Sequence, residues 1–222
     1  MIKLEHIFKW YNIAGARSYV LKDINLTIEQ GDFISIMGPS GSGKSTLLNV
    51  IGLLDEPDEG KYYFMEEEVL SLKAKKRTAI SQANMGYVFQ AYHLIDELTV
   101  YENIETPLLY KQHGSSERKA IVADLLDRFG IVGKKDLFPA QLSGGQQQIV
   151  GIARALAASP KLLLADEPTG NLNSKQGEEV MQLFKQLNDD GVTIIQVTHS
   201  EKNAAYSKRI LNLLDGQLKK ED

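Results

Sequence analysis

Nine consecutive residues constrain this chain more than any others: Gly38-Pro39-Ser40-Gly41-Ser42-Gly43-Lys44-Ser45-Thr46. The run Phe33-Ile34-Ser35-Ile36-Met37 ahead of them reads as a buried strand, and Leu47, Leu48, Val50 and Ile51 follow at helical spacing. The segment therefore folds as strand, glycine-rich turn and helix. Its pattern, G-x-x-x-x-G-K-[ST], is that of a phosphate-binding loop. Gly38, Gly41 and Gly43 let backbone N–H groups point inward around phosphate oxygens. The helix N-terminus adds partial positive charge. Lys44 brings a full charge to the β- and γ-phosphates, and the Ser45 hydroxyl can bind magnesium. A bound nucleotide is the expectation.

Composition sets the surroundings. With 222 residues the chain can build one large or two small domains, and its apolar and charged fractions are those of a globular protein with a real core. The net charge of −4 lacks the basic excess of a nucleic-acid binder. No cysteine is present, which excludes disulfides and thiolate metal sites. The first residues, Met1-Ile2-Lys3-Leu4-Glu5-His6, carry no apolar secretory region, and no apolar run is long enough to span a bilayer. A membrane role has to come through a partner.

Alternation and apolar runs predict strands near 2–7, 20–28, 33–37, 62–65, 85–89, 161–166, 192–198 and 209–214. Helical spacing marks the segment after residue 46 and residues 73–82, 99–111, 116–129, 144–158 and 174–189. Ser115 or Ser116 is suited to cap the 116–129 helix and Gly130 to end it; Glu66-Glu67-Glu68 reads as a turn. The continuous apolar runs at 162–165 and 192–198 fit strands covered by helices on both faces. A single domain is expected, with an α/β core over 1–90 and 158–222 and a helical insertion over about 91–157. The basic cluster Lys73, Lys75, Lys76 and Arg77 reads as a solvated helix face rather than a membrane-facing patch.

Two further segments carry chemistry. Asp166-Glu167 closes an apolar strand, where a magnesium-associated Asp is expected in a chain with a phosphate loop, and Glu167 is suited to polarise an attacking water. Ser143-Gly144-Gly145-Gln146 opens a helix. It is either an ordinary Ser cap or a second anion nest, and the phosphate loop shifts the balance toward the nest.

With these motifs in hand the chain resembles the ATP-binding cassette family, the nucleotide-binding subunits of ABC transporters. Gly38–Thr46 match Walker A, Leu142–Gln146 the signature, and Leu162–Thr169 Walker B. Gln90 matches the Q-loop glutamine and His199, in Val197-Thr198-His199, the switch histidine. The runs around residues 36–49 and 142–148 are most similar to cassettes of the macrolide-exporter and lipoprotein-releasing type. The resemblance implies a P-loop NTPase fold with a mixed β-sheet core, an N-terminal antiparallel β subdomain and a helical subdomain insertion. It implies ATP and Mg2+, with Ser45, Gln90 and Asp166 toward the metal and Glu167, His199, Lys44 and Gln90 in catalysis. Tyr11 takes the place of the aromatic that stacks on adenine, with Trp10 and Tyr19 as competitors. Ser143, Gly144, Gly145 and Gln146 would reach the nucleotide held by a second copy, the two chains pairing head-to-tail.

The resemblance also implies a separate membrane permease, peripheral attachment at the cytoplasmic face of the cell membrane, and scope for a periplasmic or extracellular adaptor. Export of a drug, antimicrobial peptide or lipoprotein is the leading expectation; ATP-driven signalling through a membrane partner without transport is the alternative. Tyr92, Leu94 and Leu98 are expected to help form the groove for the permease. Three positions depart from the family pattern: Asn173 stands for the usual Asp, Ile149 for the usual Arg, and Ser200 where Asp or Glu is common.

Overall fold

The computed structural model describes residues 1–13, 15–111 and 113–219. Two sheets organise it. The first is antiparallel and contains β1 (Ile2–Ile13), β2 (Ala16–Ile28), β4 (Glu59–Phe64) and β5 (Glu67–Glu68), in the order β2-β1-β4-β5. The second contains β3 (Phe33–Met37), β6 (Met85–Phe89), β7 (Leu162–Asp166), β8 (Thr193–Val197), β9 (Arg209–Leu214) and β10 (Gln217–Leu218), in the order β10-β9-β3-β8-β7-β6. Five of these six strands run parallel, and β10 adds to β9 antiparallel. The sheet core is thus mixed, as the resemblance implies.

The apolar strands are explained by what covers each face. In β7, Leu162 and Leu164 enter one core cluster while Leu163 and Ala165 enter another; in β8, Ile195 and Val197 part from Ile194 in the same way. Residues alternate across a strand, so two covered faces demand an unbroken apolar run. The first cluster is closed by α1 (Lys44–Ile51) and the antiparallel sheet, and Tyr62 is fully buried there with its hydroxyl donating to the Ile51 carbonyl. The second cluster gathers α3 (Val100–Glu105), α4 (Ser115–Arg128), α5 (Gly144–Ala157) and α6 (Ser174–Asp189). The remaining helices are α2 (Ala74–Asn84) and the short α7 (Glu201–Ala204).

Several local expectations are corrected. The 99–111 helix is α-helical only to Glu105, and a 3₁₀ turn with Pro107 continues to Tyr110; proline cannot donate the backbone bond an α-helix interior needs. Thr99 starts α3 with a reciprocal cap, its hydroxyl accepting from the Glu102 N–H while Glu102 accepts from the Thr99 N–H. Neither Ser115 nor Ser116 caps α4: the extended residue before it is Gly114, and Ser115 is already helical. In the Glu66–Glu68 segment the turn falls at Met65 and Glu66, and Glu67-Glu68 pair with β4. Arg77 of the basic cluster is not merely solvated. Its guanidinium donates to the Leu70 and Leu72 carbonyls and pairs with Glu56, fastening α2 to the loops beside it.

Candidate active site at the sheet edge

Register places the chemistry. Phe89 lies opposite Asp166, Asp166 opposite Val197, and Val197 opposite Ile36. The residues just beyond these strand ends, Gly38, Gln90, Glu167 and His199, therefore emerge along one edge of the parallel sheet, where α/β folds bind ligands. A cavity of about 480 Å³ opens there, lined by Ser40, Gly41, Gly43, Lys44, Ser45 and Thr46 together with Gln90, Asp166, Glu167 and His199. Val20 and Val197 complete the lining.

The phosphate loop is shaped by close approach. At Gly38, φ is +155° and a Cβ would stand 2.1 Å from the Leu213 carbonyl oxygen. At Gly43, φ is +101° and a Cβ would stand 2.7 Å from the Val20 carbonyl oxygen. Only glycine meets both demands, of conformation and of space. The Lys44 ammonium donates to the carbonyls of Gly38 and Pro39, each at 2.9 Å, which keeps the cation over the loop. The Ser42 hydroxyl is buried with no protein partner among the described residues.

Glu167 has φ +46°, a left-handed backbone rare for a non-glycine residue, and its N–H donates to the Val197 carbonyl at 3.0 Å. Its carboxylate Oε1 lies 2.9 Å from His199 Nδ1. The Glu167 side chain is 17% exposed and that of His199 75%, so a sheltered carboxylate is held by an accessible imidazole. Gln90 belongs to a reciprocal amide pair that the sequence did not reveal. Asn171 Nδ2 donates to the Gln90 carbonyl at 2.9 Å, and Gln90 Nε2 donates to Asn171 Oδ1 at 3.4 Å.

Tyr11 and its competitors separate across β1. Trp10 packs on Tyr19 with ring centroids 5.4 Å apart and carries the Arg17 guanidinium on its ring. Tyr11, next along the strand, points the other way. Its hydroxyl donates to Asp55 Oδ2 at 2.9 Å and lies within reach of the Thr46 side chain, and Lys9 sits 5.2 Å from its ring centre. Lys9 is almost fully buried and donates to Asp55 and to the Glu56 carbonyl, both at 2.7 Å. Burial pushes the Asp55 carboxyl up, but hydrogen bonds from Lys9 and Tyr11 outweigh it and hold the group below its ordinary value. Burial, then the bond to Asp55, raise the Tyr11 phenol.

The signature residues do not join this cavity. Ser143, Gly144, Gly145 and Gln146 form the first turn of α5, where Ser143 and Gln146 cap each other: the Ser143 N–H donates to Gln146 Oε1 at 3.0 Å, and Ser143 Oγ accepts from the Gln146 N–H at 3.4 Å. The cap exists, and the N–H groups of Gly144 and Gly145 stay outside it. The departures from the family pattern have local explanations. Asn173 caps α6, its Oδ1 accepting from the Gln176 N–H at 3.0 Å; Ser200 caps α7; Ile149 packs against the second core cluster.

An apolar groove of about 1020 Å³ lies between α2, β6 and the last turns of α5, lined among others by Leu53, Leu54, Tyr87, Phe89, Tyr110 and Arg154. Tyr92, Leu94 and Leu98 are not among the residues that line it. Leu94 turns into the second core cluster, and Tyr92 turns toward α5.

Comparison with known proteins agrees with this geometry. Residues 21–170 match the family model described as "ABC transporter". An uncharacterized ABC transporter ATP-binding protein of Methanocaldococcus jannaschii, MJ1508, is 45% identical over 218 residues, covering 98% of this chain and 97% of that one. A macrolide export ATP-binding/permease protein, MacB, of Wolinella succinogenes is 44% identical over 218 residues, which span 98% of this chain and 34% of that protein. A solved structure described as the dimeric post-hydrolysis state of the ATP-binding cassette MJ0796 bound to ADP and Pi superposes with a TM-score of 0.92 at 45% identity, covering 100% of this chain and 98% of that one. The chain belongs to the ABC transporter family, as one of its P-loop ATPase cassettes.

Proposed function

We propose that this cassette works as a head-to-tail pair that turns ATP binding and hydrolysis into movement of a separate membrane permease. The observation that carries the reading is the make-up of the cavity. Walker A, Gln90, Asp166, Glu167 and His199 line it, and none of residues 142–146 does. A capped glycine turn with free N–H groups, apart from its own chain's phosphate loop, is suited to a nucleotide on a second copy. The relative solved with ADP and Pi is dimeric, which supports the same arrangement.

The roles follow from chemistry. The loop of Gly38, Pro39, Ser40, Gly41, Ser42, Gly43, Lys44, Ser45 and Thr46 cradles the triphosphate through backbone N–H groups, which Pro39 alone lacks, and the Lys44 ammonium offsets its charge. Tyr11 offers its ring to the adenine. Ser45, Gln90 and Asp166 would hold Mg2+. The fit is good because Mg2+ takes few protein oxygens and fills its shell with phosphate and water, and Ser45, Gln90 and Asp166 line one cavity with the phosphate loop. When bound, that ion supplies neutralisation of phosphate charge. Glu167 takes the proton of the attacking water as the water oxygen bonds to the γ-phosphorus. The bond to the bridging oxygen breaks and ADP leaves with the electron pair. His199 orients Glu167 and reaches the γ-phosphate. Ser143, Gly144, Gly145 and Gln146 of the second copy close the other side. ATP thereby favours the joined pair, and loss of the γ-phosphate releases it.

The groove beside Arg154 receives a cytoplasmic helix of the permease, its apolar wall matching the apolar face of an amphipathic helix. No helix among the described residues is long and apolar enough to cross a membrane, in keeping with peripheral attachment at the cytoplasmic face through that partner. Likeness to the cassette portion of macrolide exporters supports export of a drug, antimicrobial peptide or lipoprotein, with an adaptor outside the membrane as a further partner. The test is reconstitution with the permease in vesicles. The intact cassette should bind the permease and drive ATP-dependent export. Tyr110→Asp, at the exposed groove wall, should lower permease affinity at least ~10-fold while the isolated cassette keeps its ATPase rate. Binding that ignores Tyr110→Asp contradicts the groove assignment.

A further inference from the structure

The signature turn is packed against the segment that follows Gln90. A Cβ on Gly144 would stand 2.7 Å from the Tyr92 hydroxyl oxygen, and one on Gly151 would stand 3.6 Å from the Tyr92 carbonyl oxygen. Gly144 and Gly151 are seven residues apart and so share a face of α5. Tyr92 therefore lies lengthwise along that face, hydroxyl at the first turn and main chain two turns on. There Arg154 takes hold: Nη2 donates to the Tyr92 carbonyl at 3.0 Å and Nη1 to the His93 carbonyl at 2.6 Å.

The held backbone is unusual. Tyr92 has φ +61° and His93 φ +47°, two consecutive left-handed residues, neither of them glycine. Each such residue is strained and persists only where its surroundings over-determine it. The Arg154 fork, the His93 N–H bond to the Ala91 carbonyl at 2.6 Å and the Phe89–His93 ring contact at 4.7 Å do so here. Burial pulls the Arg154 guanidinium below its ordinary value. Among the described residues no carboxylate pairs with it, so backbone carbonyls are what compensate its half-buried charge. Arg154 also forms part of the apolar groove wall.

We propose that Tyr92 and Arg154 are positioning residues, a strap that fixes the signature turn relative to Gln90 and joins that turn to the docking groove. Tyr92 packs over the first turn of α5, its hydroxyl against Gly144, and Arg154 holds Tyr92. The strap pre-orders the N–H groups that meet the partner's nucleotide; without it, ordering them opposes pairing. This consequence rests on the head-to-tail reading above, whereas the strap itself does not.

Two measurements separate these. The first is hydrogen exchange of the nucleotide-free full chain. The Gln147 amide closes the first turn of α5 on the Ser143 carbonyl at 2.9 Å. Tyr92→Phe and Arg154→Met should each speed its exchange ~10-fold. Amides of α1 behind the phosphate loop should be unchanged, and Arg154→Lys, which keeps the charge but loses the fork, should fall between wild type and Arg154→Met. The second is the ATP-dependent dimer constant in a Glu167→Gln background, which Tyr92→Phe should weaken ~10-fold with nucleotide binding by the dilute monomer unchanged. Unaltered Gln147 exchange in both Tyr92→Phe and Arg154→Met overturns the strap, as does exchange raised equally in α1. Altered exchange in a chain that never pairs upholds the strap and defeats the head-to-tail reading instead.

Discussion

The catalytic cavity and the signature turn are built on opposite principles. Around the cavity three functional groups are anchored within one chain: Glu167 to Val197 and His199, Lys44 to Gly38 and Pro39, Gln90 to Asn171. Glu167 and Gln90 sit just past the ends of parallel strands packed on both faces, and Lys44 opens the helix that follows a third. The signature turn is a helix start whose Gly144 and Gly145 N–H groups have no partner among the described residues, set against Tyr92 in the segment after Gln90 on one side and Gln176 of α6 on the other. Its connections run through side-chain contacts and not through a sheet. The difference teaches that one half of the machinery is assembled within the chain, whereas the other half, on the head-to-tail reading proposed above, is presented for a second molecule to complete.

Substitutions can break or sharpen this contrast. The largest effect is expected inside the cavity. Glu167→Gln should keep ATP binding and lose roughly 10²–10⁴-fold in turnover, with the pair trapped. Single-turnover kinetics and sedimentation check both halves, and hydrolysis at the parental rate would remove Glu167 from its role. A smaller effect is expected at the cavity's rim. Asp55→Asn should weaken the bonds that Lys9 and Tyr11 make to a charged carboxylate, costing about 2 kcal/mol in denaturant unfolding. The sign with pH follows from the depressed carboxyl. Its stabilisation is fully present above the ordinary value near 3.8 and is lost as pH falls through the lower folded-state value. The gap between wild type and Asp55→Asn should therefore close on acidification below about pH 4. A gap that persists there means that packing, not charge, is what Asp55 contributes.

The two regions also differ in how far the residues announced them. Walker A, β7 and β8 are continuous in sequence, and their patterns map directly onto local structure: glycines at forced turns, unbroken apolar runs on strands with two covered faces. Glu167 and His199 were recognisable from position and family likeness, but their 2.9 Å contact depends on register between strands more than thirty residues apart. The apolar groove was hidden because its walls come from residues as distant as Leu53 and Ala158, which no local pattern unites. Gly114 starting α4 in place of a serine, and the left-handed pair Tyr92-His93, were hidden for the same reason. In both cases tertiary contacts decide conformation against local propensity.

The most direct measurement mixes two disabled chains. Lys44→Ala removes the phosphate loop's cation and leaves the signature turn intact; Gly145→Asp places a carboxylate at that turn and leaves the cavity intact. Neither alone should hydrolyse ATP appreciably. A head-to-tail pair of the two contains one complete site, so the mixture should regain a substantial fraction of wild-type ATPase, rising with the concentration of either chain. A mixture as inactive as its components, with both variants folded and Gly145→Asp still binding ATP, would contradict a site shared between two copies.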